Sequence, residues 1–250
     1  MRKIAFTALL IVLSLSMAFA NGSKEKDGYV FAADATWPPL EFVAENGDIT
    51  GFEVDLINEM SKVSGVEMKY INTAWDTIFA GLANGQYDAV ASGVTVTEER
   101  KKTIDFSDTL FTIKQSIITL KGNENLNSLD SLSGKKVGVQ MGTTGHFAVE
   151  ENKDAVIKAY DSIGLAIEDM INGNVDACVC DSLIASDFVL ANPNYKDKLI
   201  ITGEASSDIE EIAIAVKKGD KELLDLINSS LAKLKENGTM DELMKKYNII

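Results

Sequence analysis

The chain alternates short apolar runs of strand character with amphipathic stretches, and it does so in two series separated by long extended segments. A strand that leads into a helix can pair in parallel with the next strand only if the helix crosses the sheet, so the alternation predicts α/β architecture with mostly parallel, helix-covered sheets. In the first series, strands at 29–33, 66–71 and 88–91 are separated by two helices, Glu53–Ser64 and Trp75–Ala83. Val54, Ile57, Met60 and Val63 place an apolar stripe on the first helix, and Gly65 stops it. The second series reads strand 136–139, turn 142–145, helix to about 152, strand 156–160, helix 163–171, strand 175–179, helix 183–190 and strand 198–201. Between and after the series, 111–120 and 211–216 each read as one extended strand, a helix over 220–236 carries Leu224, Ile227, Leu231 and Leu234 on one face, and Thr239 with Glu242 makes a capping box for a last helix after Gly238. Two α/β series joined by extended crossings imply two lobes with a ligand cleft at the hinge.

The amino terminus points to export. Met1-Arg2-Lys3 is basic, 4–15 is almost wholly apolar, and Ala18-Phe19-Ala20 puts small residues where a signal peptidase reads, so residues 1–20 are expected to be a signal peptide cleaved after Ala20. The apolar run is short for a membrane span, and no cysteine at the cleavage site invites a lipid anchor. The polar segment 21–27 reads as a disordered leader. Losing Arg2 and Lys3 with the signal takes the formal charge from -14 to -16, which argues against nucleic acid or anionic lipid as a partner. Cys178 and Cys180 lie two apart, and side chains on one strand face diverge too far for a mutual disulfide, so two buried thiols are expected. With His146 as the single histidine, the sequence offers neither a Cys/His zinc set nor a Ser-His-Asp relay. His146 itself reads as a surface helix residue.

The stretch from Ser92 to Lys102, Ser-Gly-Val-Thr-Val-Thr-Glu-Glu-Arg-Lys-Lys, follows the strand 88–91 and opens into a polar turn. Open α/β sheets bind ligands at the carboxyl ends of their strands, and Arg100 offers a planar fork suited to a carboxylate. Two readings are open: a ligand grip, or a short helix capped by Thr97 whose Arg100 pairs with Glu98 or Glu99 in solvent.

The wider pattern resembles a known family. Ala35-Thr36-Trp37-Pro38-Pro39-Leu40-Glu41-Phe42, Gly51-Phe52-Glu53-Val54-Asp55-Leu56, Ala74-Trp75-Asp76, Thr95 to Lys101, Ile104-Asp105-Phe106-Ser107-Asp108, Gly138 to Gly145 and Asp176-Ala177 with Asp181 are similar, in order, to the solute-binding proteins of polar amino acid ABC transporters. The resemblance covers essentially the whole mature chain and favours the ligand grip. It implies a periplasmic binding protein with a first lobe at 28–112 completed by 210–250 and a second lobe at 113–209. It implies that Thr95 and Arg100 hold an α-carboxylate, joined by Thr144 from the second lobe, while Ser92 and Gly93 carbonyls and Asp181 meet an α-ammonium. Trp37 and Trp75 would sandwich the ligand side chain, and Asp34 and Glu53 would meet a distal positive charge, with Glu41 a weaker candidate. Gln140 stands where some relatives place lysine or an apolar residue, and Cys180 where glutamine-binding relatives carry histidine. The expected ligand is therefore a free L-amino acid, with arginine, lysine or histidine favoured and glutamine or cystine as alternatives. The expected partner is an ABC permease, and the protein itself a monomer without cofactor, metal or catalytic residues. A cyclohexadienyl dehydratase-like enzyme on the same scaffold is the competing class.

Overall fold

The computed structural model describes residues 28–249. The expected signal peptide and leader lie outside the described residues. Two five-stranded sheets carry the fold. The first contains β1 (Gly28–Ala33), β5 (Glu67–Asn72), β6 (Ala89–Val90), β7 (Ile104–Phe106) and β15 (Ala215–Lys217), in the order β5-β1-β6-β15-β7. The second contains β9 (Gln115–Leu120), β10 (Lys136–Gln140), β11 (Val156–Tyr160), β12 (Ala177–Asp181) and β13 (Leu199–Glu204), in the order β11-β10-β12-β9-β13.

The helices fall where the apolar periodicity places them, except that the stretch expected at 183–190 is α-helical only to Ser186 and continues as a π turn, Asp187–Ala191. α1 (Phe52–Ser64), α2 (Trp75–Ala83), α6 (Lys221–Glu236) and α7 (Thr239–Lys246) belong with the first sheet; α3 (Thr144–Glu150), α4 (Ile163–Ile171) and α5 (Ser182–Ser186) belong with the second. Gly65 closes α1 in the left-handed conformation, φ 73, and its N–H reaches Ser61 O. Phe31 packs with Phe52, Leu56 and Ile57 of α1 and with Ile227 and Leu231 of α6, whereas Ile117, Val137, Val139 and Val179 join Leu132 and Val149 in the other half.

The sheets are more mixed than the alternation implies. β1 runs parallel to β5 and β6, and β10 parallel to β11 and β12, but β15 is antiparallel to β6 and β7, and β9 antiparallel to β12 and β13. The cause is the crossing between lobes. Parallel strands end at the cleft, so a strand arriving from the other lobe enters at that end and must run the opposite way; Gln115, the first residue of β9, pairs with Asp181, the last of β12. For the same reason the two long strands expected at 111–120 and 211–216 are each divided. β8 (Phe111–Ile113) and β14 (Glu210–Ile212) pair antiparallel as the hinge, and the chain then changes sheets into β9 and β15. A three-stranded hairpin unit, β2 (Thr36–Trp37), β3 (Glu41–Val43) and β4 (Ile49–Thr50), hangs from the first lobe beside the cleft.

Candidate functional site

The carboxyl ends of the central strands converge on one cleft. Asp34 follows β1, Ser92 and Gly93 follow β6, Gln140 ends β10 and Asp181 ends β12, while Trp75 and Thr144 open α2 and α3. Together with Trp37, Thr95 and Arg100 they line one small cavity, with room for about 20 Å³. Thr143, which the sequence reading passed over, lines it as well. Its hydroxyl accepts from His146 N–H at 3.2 Å and so caps α3, leaving the α3 amino terminus directed at the cavity.

Arg100 sits on a short 3-10 turn, Arg100–Lys102, rather than in an α-helix beginning at Thr97; the Thr97 hydroxyl accepts from Arg100 N–H at 3.1 Å. Glu98 and Glu99 pair with Lys101 and Lys102, so the arginine is not spent on a solvated ion pair with them. Its guanidinium turns inward, donating to Thr95 O at 2.8 Å and, across the cleft, to Gly142 O at 3.4 Å. It stands 5.4 Å from the Trp75 ring centre and 5.1 Å from that of Phe79. Burial pulls its pKa down to about 10, with Asp181 and Glu210 acting in the opposite sense, so it remains a cation at neutral pH.

Behind the arginine lies a polar hub built partly on the hinge. Gln115 Nε2 is 2.8 Å from Asp181 Oδ1, 3.1 Å from Thr144 Oγ1 and 3.2 Å from Glu210 Oε2. Glu210 also accepts from the Thr95 hydroxyl at 3.1 Å, and the Thr95 and Thr144 hydroxyls are 3.3 Å apart across the cleft. Burial raises Asp181 to about 6, against hydrogen bonds from Gln115 and Trp37 and the charge of Arg100. Gln115, Glu210 and Phe79 were not visible as site residues in the sequence. The one available signal was a glutamine inside one extended crossing run and a glutamate just before the other.

At the other end of the cavity, Asp34 accepts from Thr36 Oγ1 and from Gln140 Nε2, both at 2.9 Å, and burial raises its pKa. Gln140 is 2% exposed and its Oε1 has no partner. Trp37 and Trp75 line the cavity too, Trp75 with its ring under the Arg100 guanidinium and Trp37 hydrogen-bonded to Asp181.

Glu53 departs from its expected place. It does not line the cavity; its carboxyl points behind the Ser92–Gly93 turn, where Oε2 accepts from Gly93 N–H at 3.0 Å. Glu41 lies beside it, accepting from the Ser92 hydroxyl at 2.8 Å. The reason is placement in the first turn of α1, which carries residue 53 under the turn instead of past it. His146 is half-buried rather than on the surface, with Nδ1 accepting from Gly142 N–H at 3.1 Å. Cys178 and Cys180 are buried free thiols. Asp55 serves the fold, bonded to Lys246 and to the Tyr247 hydroxyl. Among the described residues no cluster of histidine, cysteine and acidic side chains could hold a metal, and no helix is long and apolar enough to cross a membrane.

Two mixed α/β sheets, two paired crossing strands and a cleft of opposed charges at the strand ends define a two-lobe ligand-binding protein. The chain belongs to the bacterial extracellular solute-binding proteins, family 3, whose model matches residues 29–249. It is 35% identical over 222 residues to the probable histidine-binding protein of Neisseria gonorrhoeae, covering 88% of this chain and 82% of that one. It is 36% identical over 231 residues to the L-cystine-binding protein TcyJ of Escherichia coli, covering 91% of this chain and 85% of that one. Among solved structures it is similar to an ancestral arginine-binding protein bound to arginine, with 40% identity, a TM-score of 0.83 and coverage of 89% of this chain and 98% of that one.

Proposed function

We propose that the protein captures a basic L-amino acid outside the cytoplasmic membrane and presents it to an ABC importer. The observation that carries the reading is the polarity of the cavity: Arg100 with Asp181, Asp34 with the unpartnered Gln140 Oε1, and two tryptophans in the same lining. A zwitterion leaves water only where both charges are paired, and a distal cation needs acceptors of its own. Arg100 and the backbone N–H of Thr144 take the α-carboxylate. Thr95, whose hydroxyl is engaged by Glu210, adds its backbone N–H. Asp181 and the Ser92 and Gly93 carbonyls take the α-ammonium. Asp34 and Gln140 take the distal group, held between Trp37 and Trp75.

On this reading the first lobe comprises 28–112 and 210–250, the second 113–209, and β8 with β14 forms the hinge. Export with cleavage after Ala20, a monomeric state and binding without turnover complete it. The likeness to a cystine-binding protein keeps cystine as the second ligand to examine.

The test is a thermal-shift and tryptophan-fluorescence screen of the purified protein against the twenty amino acids, ornithine and cystine. Arginine, lysine, histidine or ornithine is expected to give the largest midpoint shift together with a change in emission. A response to cystine or glutamine alone refutes basic specificity, and silence to all refutes the function. Consumption of prephenate or arogenate would establish an enzyme instead.

A further inference from the structure

Two carboxyl side chains lie directly beneath the Ser92–Gly93 turn. Glu41 on β3 and Glu53 in the first turn of α1 are both 0% exposed. Glu41 Oε1 accepts from the Ser92 hydroxyl and Glu53 Oε2 from the Gly93 amide, which leaves Glu41 Oε2 and Glu53 Oε1 buried without a partner. The two carboxyls are within hydrogen-bonding reach of each other.

The groups that face them carry no positive charge. Asp34 approaches from the end of β1, Tyr70 from β5, and the Ser92 hydroxyl and Gly93 amide from the turn. The Tyr70 hydroxyl donates to Ala91 O, and the two glutamates push its own ionisation further up. Adjacent carboxylates cannot both be charged in an interior that supplies no cation. A proton placed between the two orphan oxygens satisfies both, one as donor and one as acceptor. The charge belongs on Glu53, which receives a backbone N–H and sits at the amino-terminal end of α1, where the helix favours an anion. The proton therefore belongs on Glu41.

We propose that Glu41 donates a retained proton to Glu53, and that the pair acts as one unit that positions the Ser92–Gly93 turn against the bound amino acid. The second half rests on the functional reading above; the first does not. Burial raises both carboxyls, Glu53 to about 7 and Glu41 well above its ordinary value, and the two titrate as a pair. Both shifts are upward, so the stability tied to the retained protons is present at low pH and is lost as pH rises through the folded-state values.

Glu41→Gln tests the proton. An amide N–H replaces the acid O–H on a side chain of the same shape, which keeps the donor and removes the second ionisation. In the ligand-free protein just above neutral pH, infrared spectroscopy is expected to show the carbonyl stretch of a protonated carboxylic acid that Glu41→Gln lacks. Wild type is also expected to lose thermal stability relative to the variant as pH climbs further. An absent band, or stability curves that stay parallel, overturns the shared proton. For positioning, calorimetry with arginine is expected to give Glu41→Gln within about threefold of wild type, Glu53→Gln within about tenfold, and Glu53→Leu weaker by about a hundredfold, since only the last leaves Gly93 N–H without an acceptor. A folded Glu53→Leu variant that binds arginine as wild type does overturns the positioning role. A wild-type protein that binds no amino acid removes the functional reading and the positioning role with it, while the infrared result still decides the proton.

Discussion

Arg100→Ala is the sharpest perturbation of the proposed site. The guanidinium has five N–H donors; one goes to Thr95 O at 2.8 Å and another to Gly142 O at 3.4 Å, which leaves enough for a two-pronged grip on a carboxylate. Deleting one partner of a desolvated, hydrogen-bonded charge pair costs about 2 to 5 kcal/mol. Two features place Arg100 in the middle of that range. The Thr95 and Thr144 amides continue to hold the carboxylate, and Asp181 and Glu210 already offset part of the arginine's field. A loss of about 3 kcal/mol corresponds to roughly 150-fold in dissociation constant. Loss of affinity alone could come from a disturbed fold, so the assay is a cycle: calorimetry of wild type and Arg100→Ala, each with arginine and with argininamide, whose α-carboxamide carries no charge. Wild type is expected to discriminate strongly against the amide and the variant to discriminate little, the coupling falling at about 2 to 3 kcal/mol. If the variant rejects argininamide as strongly as wild type does, Arg100 does not hold the α-carboxylate, whatever its effect on affinity.

Three further outcomes follow from the same site. Asp34→Asn is expected to weaken arginine and lysine by about tenfold or more while changing glutamine by less than about threefold, because only a distal cation uses the charge; equal losses for all three in calorimetry would refute the assignment. Burial raises Asp181 to about 6, and an α-ammonium favours the ionised form, so arginine affinity is expected to hold above that pH and to fall below it toward a limit of about tenfold per pH unit. Asp181→Asn should abolish that acid limb, and an unchanged profile would place the titrating group elsewhere. Burial also raises both thiols, Cys178 and Cys180, so neither is expected to react with iodoacetamide in the native protein at neutral pH and both should react after denaturation; native labelling read by mass spectrometry would contradict the buried assignment.

Most of the architecture was legible because local pattern and tertiary role agree. The stripe Val54, Ile57, Met60 specifies α1, and Gly65 takes the left-handed stop that an L side chain resists. The crossings were not legible, since hydrophobic alternation through 111–120 says nothing of which sheet a residue joins, and Lys114 separates two strands that pair with different partners. The cavity lining followed the motifs where a residue sits at a strand end, as with Asp34, Ser92, Gln140 and Asp181. Glu53 shows the limit: its spacing matched, but helix phase decides which side of the turn the carboxyl reaches. His146 shows another, because the turn at Gly142 folds an amide back onto a ring that sequence alone places on an exposed face.

On the proposed reading, Glu210 and Gln115 connect recognition to lobe movement. The lobes meet across the cleft through Asp34 with Gln140 at 2.9 Å, the Thr95 and Thr144 hydroxyls at 3.3 Å, and Arg100 with Gly142 O at 3.4 Å. Two of these are near the outer limit of a hydrogen bond, and a typical hydrogen bond contributes only about 1 kcal/mol net. Glu210, on β14, accepts from Thr95 beside the first sheet and from Gln115 of the second. On the proposed reading, an arginine adds a link between the lobes at each pole: Arg100 to Thr144 through its carboxylate, and Asp34 to Gln140 through its guanidinium. A ligand too short to reach Asp34 makes only the first. The span of the ligand, more than its affinity for either pole, then governs how firmly the lobes are held together, and the residues that choose the side chain are the same ones that complete closure.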